Sequence, residues 1–472
     1  MSTCCAANGP YDLAVIGAGS AGFSAAITAA EQGARVALIG HGTIGGTCVN
    51  VGCVPSKTLI RAAESLHHAQ AAARFAGIRG EARLDDWRAL LAQKDELVAG
   101  LRQARYVGLL SAYNAIAYVE GPARLAPEGI HVNGERLRVG RTIVATGASP
   151  VRPSIPGSED IGYLTSTTAL EIAELPRSML VVGGGYIGCE LAQLFARAGV
   201  RVTLVCRSRV LPEGEPEISE SLAGYLGEEG IDVRTGLAYR EIRRTGGGVA
   251  LEVSSSGAAE ALEAEVALAA TGRRPNTAGL GLADVDVAVT GNGGIWVDEH
   301  LRTTNPDVYA VGDVTGRHQF VYMAAYGAKL AALNALNGDA HRYDATAMPM
   351  VTFTDPQVAS VGLTEAAAWA AGIEVRTSIL PLDAVPRALA ARDARGLIKL
   401  VADQATDRLL GAHVLAPEGA DSIQTAALAI RHGMTVKALA ETIFPYLTTV
   451  EGLKLAAQTF DRDVSKLSCC AG

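Results

Sequence analysis

Thiols in pairs are the first residues in this sequence that could do chemistry. Cys48 and Cys53 stand five apart in GGTCVNVGCVPSK, and Cys469 and Cys470 are adjacent in the closing KLSCCAG. Paired thiols can cycle with a disulfide or bind a soft metal ion by ligand exchange. Five residues of helix rise about 7.5 Å, beyond the Cα separation that a disulfide tolerates, so redox cycling requires this segment to bend. Gly52 and Pro55 make a bend possible. Lys57, one turn on, has two readings: it lowers a thiolate pKa, or it holds a charge on a cofactor. Of the other cysteines, Cys189 and Cys206 stand singly in apolar stretches and read as small core residues. Cys4 and Cys5 precede the first strand and receive no role. No C-x2-C pairs recur with zinc spacing, and the nine histidines form no ligand cluster, which argues against a structural metal.

Two repeated elements frame the first pair. YDLAVIGAGSAGFSAAITAAEQGARVALIG reads as strand, glycine turn, helix and strand, with Gly17, Gly19 and Gly22 in G-x-G-x-x-G order. Such glycines close the turn and let the backbone approach a pyrophosphate at the helix N-terminus. An acid normally ends the second strand and takes a ribose hydroxyl. Here Gly40 and His41 stand there, so that contact is weaker, made differently, or left to solvent. The unit recurs in SMLVVGGGYIGCELAQLFARAGVRVTLVCRS, with Gly183, Gly185 and Gly188. Its second strand ends in Cys206 and Arg207, followed by Arg209, which favours the 2′-phosphate of NADP over the 2′-hydroxyl of NAD. One of the two arginines is open to a purely loop-solvating role. TIVATGASP and VALAATGRRPNT each end a strand in Thr-Gly, and TTNPDVYAVGDVTG ends one in Gly312-Asp313, where a carboxylate suits a ribityl or sugar hydroxyl.

Composition bounds the class. The chain has 472 residues, 49% of them apolar, and a net charge of −8 with both signs scattered, which argues against nucleic acid or an anionic membrane as partner. The most apolar long window contains Glu190 and a glycine triplet, and the N-terminus lacks a signal-peptide pattern, so a cytoplasmic protein without membrane insertion is expected.

Taken together, the GGTCVNVGCVPSK segment, both glycine motifs, the two ATG stretches and VGD resemble the pyridine nucleotide–disulfide oxidoreductases over nearly the whole chain. The resemblance implies FAD-dependent homodimers that use NADPH. It implies an α/β fold of the glutathione reductase type, with two Rossmann-like dinucleotide-binding domains and a C-terminal α+β dimerisation domain. The expected segments are 1–150 for FAD, 151–272 for NADPH, 273–345 for FAD again and 346–472 for dimerisation. It further implies that Cys53 contacts the flavin, Cys48 exchanges with substrate, and Glu190 pairs with Lys57 near the isoalloxazine. NADPH is expected over the flavin near Tyr186, with cofactor contacts also from Ala21, Thr47, Ala123, Gly147, Gly272, Asp313 and Val321.

Family members that reduce disulfides carry a histidine that protonates the leaving thiolate and a glutamate that orients it. The matching stretch here is IFPYLTTVEG, with Phe444 at the histidine position, Tyr446 two residues on and Glu451 displaced by two. A substrate that needs no leaving-group proton fits better, and a soft ion such as Hg(II) is one. Cys469 and Cys470 are then expected to pass Hg(II) to Cys48 and Cys53, the tail of one subunit serving the other's active site. Tyr446 and Tyr106 are expected along that path. Metal-reducing members often carry an additional N-terminal metal-binding domain, and the sequence is expected to lack it, its first strand starting near residue 11. The main alternative is a relay to a protein disulfide of the kind found in large thioredoxin reductases. A non-enzymatic thiol protein that sequesters metal would leave the NADP features unexplained.

Overall fold

The computed structural model describes residues 11–255 and 257–464. The tail pair Cys469–Cys470, together with Cys4 and Cys5, lies outside the described residues. The chain divides into two compact units. One takes in the chain up to Ser56, Ala89–Val151 and Arg273–Asp344; the other takes in Lys57–Arg88, Arg152–Gly272 and the chain from Ala345 on.

The first unit is built on a five-stranded parallel sheet. β1 (Tyr11–Ile16) lies at its centre, flanked by β2 (Val36–Gly40) and by Val139–Val144; β3 (Ile116–Glu120) and Val308–Ala310 form the edges. The run Leu13–Ile16 reads as a continuous apolar strand because it lies inside the core of the unit, in one cluster with residues of the helices Ser20–Glu31 and Val321–Asn337 and of the strands Ala123–Ala126 and Gly129–Val132, and none of its residues is more than 4% exposed. α1 (Ser20–Glu31) is rich in alanine on its buried side, which brings it close to the helix Val321–Asn337.

The second unit repeats that logic. Its parallel sheet runs Asp232–Arg234, Arg201–Val205, Ser178–Val182, Val266–Ala269 and Leu164–Thr165, in that spatial order. All five residues of Ser178–Val182 are buried, and the helix Tyr186–Arg197 follows directly after the glycines. The C-terminal segment is different in kind: an antiparallel five-stranded sheet, Pro349–Thr352, Gln357–Gly362, Leu409–Ala416, Leu397–Asp403 and Val375–Pro381, packed by Gly419–Arg431 and Glu451–Gln458. Two Rossmann-like parallel sheets, each with a strand–glycine turn–helix–strand unit, and an α+β segment after them form the architecture the motifs predict. Among the described residues no helix is long and apolar enough to cross a membrane.

Candidate active site

The bend required between the two cysteines is present. A short helix, α2 (Gly46–Val51), carries Cys48 and ends at Gly52, whose φ of −126° and ψ of −112° belong to no helix. α3 (Cys53–Gln70) then starts afresh with Cys53 as its first residue. A Cβ on residue 52 would stand 2.9 Å from the Thr47 carbonyl oxygen and 3.3 Å from Cys48 Cα, so the chain doubles back too tightly for a side chain there. Both cysteines are half-buried. Asn50, between them, ties the turn down: its Nδ2 donates to the Ile44 and Gly46 carbonyls, each at 2.9 Å, and its Oδ1 accepts from Arg102 Nη1 at 3.1 Å.

Tyr106 comes to the same place from a π-helical turn, Gln103–Val107. Its ring stands edge-on to Phe23 at 4.9 Å and its hydroxyl lies 3.0 Å from Ser20 Oγ. Burial pushes the phenol pKa up, the Ser20 hydrogen bond opposes that, and the charges of Cys48 and Cys53 add to the rise. The phenol therefore stays protonated, held by Ser20 within electrostatic reach of both thiols.

The residues expected to hold the flavin dinucleotide lie in the same unit of the chain as this turn. Gly17 follows β1 with φ +123°, and a Cβ on it would meet the Ala145 carbonyl oxygen at 2.2 Å; one on Gly22 would meet the Gly17 carbonyl oxygen at 1.7 Å. The turn is thus closed to side chains, Gly19 sits at the N-cap of α1, and Ala21 is buried in its first turn. That arrangement fits a pyrophosphate. Thr47 lies exposed in α2, Ala123 opens the strand Ala123–Ala126, Gly147 follows Val139–Val144, and Val321 opens its helix. Asp313, in the turn Gly312–Thr315, is raised in pKa by burial, with the Arg273 charge opposing. A carboxylate in that state is relieved by hydroxyl donors, which a ribityl chain offers.

In the second unit, Gly183 and Gly188 close the turn in the same way, a Cβ on either meeting a carbonyl oxygen at 2.3 Å or less, and Gly185 caps the helix that begins at Tyr186; Gly272 follows the strand Val266–Ala269. One turn along that helix Glu190 is buried, its side chain 4% exposed. Its Oε2 accepts from Lys57 Nζ at 2.6 Å and its Oε1 accepts from the Phe353 amide at 2.9 Å. Phe353 is a partner the motifs give no sign of. The position where an acid would exclude a 2′-phosphate is held by Cys206, a buried thiol whose pKa burial raises to about 11. The two arginines beyond it divide. Arg209 Nη2 donates to the Pro212 and Gly214 carbonyls and orders its own loop, whereas Arg207 is exposed, 5.3 Å over the Tyr239 ring, with a long contact of 3.4 Å from Nη2 to the Ser154 carbonyl.

Near the chain end Phe444 packs on the C-terminal core while Tyr446 is 56% exposed. Glu451 is buried, and its Oε2 accepts from the Leu447 amide at 3.3 Å. One cluster of possible metal ligands occurs among the described residues, Glu64, His68 and Asp355. Asp355 is already bound by Arg197 at 2.9 Å and Arg395 at 3.2 Å, and those two cations oppose a third positive charge.

Residues 11–328 match the pyridine nucleotide-disulphide oxidoreductase family, and residues 348–457 match its dimerisation domain. The chain belongs to this family. Its cofactors are accordingly FAD and NADPH. Among curated relatives, a mercuric reductase of Bacillus cereus is 48% identical over 98% of this chain and 74% of its own. A mercuric reductase of Streptomyces lividans is 48% identical over 98% of both chains. Among solved structures, the Cu(II) complex of the HOCl-induced flavoprotein disulfide reductase RclA from Escherichia coli superposes with a TM-score of 0.83 at 30% identity, covering 96% of this chain and 99% of that one.

Proposed function

We propose that this family member reduces Hg(II) to Hg(0) with NADPH, in the balance NADPH + Hg(II) → NADP⁺ + H⁺ + Hg(0). The observation that carries the choice of substrate is Phe444. A disulfide reductase has to protonate a leaving thiolate, and at the position of its acid this chain has a hydrocarbon ring packed on the C-terminal core, with Glu451 occupied by the Leu447 amide. A two-coordinate Hg(II) thiolate complex needs no such proton, because its ligands exchange by substitution. The identity of the curated relatives named above points the same way.

FAD, which Gly17, Gly19, Gly22 and Asp313 would hold, would supply the electron transfer that links NADPH to Cys48 and Cys53. The protein's own residues do the rest. Arg207 takes the 2′-phosphate of NADPH, and Tyr186 lies over the nicotinamide path. Glu190 fixes Lys57, whose ammonium supplies positive charge by the isoalloxazine. Cys48 exchanges with the incoming complex and Cys53 completes a two-thiolate site. Tyr106, protonated beside both thiols, donates to whichever is ionised and not bound to metal. Tyr446 stands on the approach, and Cys469 and Cys470 of one subunit deliver the metal to the other subunit of a homodimer. Exposed Ile443 and Leu447, 94% and 43%, provide apolar surface for that dimer beside Tyr446.

The test is NADPH oxidation by the purified flavoprotein with HgCl2 in excess small thiol, run beside oxidised thioredoxin and lipoamide. Metal-dependent oxidation with little turnover of either disulfide supports the reading; brisk turnover of a disulfide and none of mercury contradicts it.

A further inference from the structure

The first glycine motif leaves one feature unabsorbed: no acid ends β2, where a carboxylate would take the adenosine ribose of FAD. The register of the sheet brings another carboxylate to that edge. β2 and β3 run parallel with Leu38 opposite Tyr118 and Gly40 opposite Glu120, and the Gly121 amide donates to the Gly40 carbonyl at 2.8 Å. Adjacent strands lie about 4.8 Å apart, so Glu120 is displaced from the vacant position by a single strand spacing.

Tyr118 and Glu120, two residues apart, share one face of β3. It is the face toward the glycine turn. A Cβ on Gly40 would stand 2.5 Å from Tyr118 Oη and 2.8 Å from the Cβ of Ala18, which lies between Gly17 and Gly19. The phenol therefore occupies the space through which a side chain at residue 40 would leave the strand. Glycine at 40 leaves room for Tyr118, and a side chain at 40 would have to displace the phenol and would also crowd the Ala18 methyl. Glu120 is exposed at the strand end, and no hydrogen bond or ion pair among the described residues engages its carboxylate. Its backbone is held, the Glu120 carbonyl accepting from Asn133 Nδ2 at 2.7 Å. The Glu120 charge also helps raise the Tyr118 phenol, after burial, so the carboxylate is electrostatically close to the ring.

We propose that Glu120, at the end of β3, takes the 2′-hydroxyl of the FAD adenosine ribose in place of an acid at residue 40, with Tyr118 walling the site. The inference rests on FAD being the cofactor of this unit, and it moves the ribose contact from the second strand of the motif to the neighbouring strand.

The test titrates the full-length protein, stripped of flavin, with FAD and with its 2′-deoxyadenosine analogue, following the change in flavin fluorescence. A hydrogen bond to a charged group corresponds to about tenfold or more in affinity. Wild type is expected to bind FAD about tenfold tighter than the analogue. Glu120→Gln is expected to lose about that factor on FAD and almost nothing further on the analogue. Gly40→Glu alone is expected to weaken FAD binding by collision with Tyr118. Equal losses on FAD and the analogue, or wild-type affinity in Glu120→Gln, would overturn the proposal. Neither outcome touches FAD binding itself, which the unmodified protein reports separately.

Discussion

Removing Lys57 isolates the most deeply placed charge of the candidate site. In Lys57→Met, Glu190 keeps its hydrogen bond from the Phe353 amide at 2.9 Å and loses the ammonium at 2.6 Å. Breaking a fully buried ion pair by removing one partner costs about 3–5 kcal/mol. Fully exposed pairs are worth about 0–1 kcal/mol. Here one partner is 4% exposed and the other 32%, so the loss falls between, at about 2–3 kcal/mol. The useful comparison is with Lys57→Met combined with Glu190→Gln. Glutamine still accepts from the Phe353 amide but brings no charge, so it should repair the single variant instead of damaging it further. A multidomain chain has no single two-state free energy, so the readout is the order of urea midpoints at one protein concentration, followed by flavin fluorescence and circular dichroism. The expected order is wild type, then the double variant, then Lys57→Met. A double variant below Lys57→Met would refute the argument that an unpaired buried carboxylate causes the loss.

Other outcomes follow from the same geometry. Gly52→Ala places a Cβ 2.9 Å from the Thr47 carbonyl oxygen and is expected to slow NADPH-driven thiol formation at Cys48 and Cys53 by about tenfold, measured by alkylation and mass spectrometry. Phe444→His is expected to leave disulfide turnover low, since Glu451 stays bound to the Leu447 amide; a gain to rates typical of a disulfide reductase would contradict that. His413 is buried among Glu215, Glu217 and Lys399, and burial lowers its pKa. The unfolded chain then binds the extra proton below about pH 6.5, so stability falls as pH drops from 7 toward 5. His413→Gln should flatten that part of the melting-temperature profile. The Cys469→Ala, Cys470→Ala double variant is expected to keep flavin reduction by NADPH while slowing Hg(II) turnover at low metal about tenfold, as loss of a delivery step predicts.

What the sequence made legible was local. Glycine spacing, the apolar runs before it and the bend at Gly52 depend on residues within a few positions of one another, and the structure forms each of them. The Lys57–Glu190 pair joins residues 133 apart, and only a family resemblance could announce it. Packing between distant segments was invisible. Tyr118 filling the place beside Gly40 requires the strand register, and the division of labour between Arg207 and Arg209 depends on where two loop carbonyls end up. The same holds for Lys399, 1% exposed, whose ammonium meets Glu215, Glu217 and Glu365 at 2.8–2.9 Å from three separate stretches. Buried cations of this kind look like ordinary surface lysines in a sequence because their partners converge only on folding.

The most direct check on the central claim is the stoichiometry of mercury vapour. The holoenzyme, given limiting NADPH and excess Hg(II) in a small-thiol buffer, is swept with inert gas and the volatilised Hg(0) is trapped and counted. One Hg(0) per NADPH consumed is the predicted result. NADPH consumption without Hg(0), with the electrons recovered as reduced thiols, would show that Cys48 and Cys53 serve a disulfide substrate and that metal binding there is incidental.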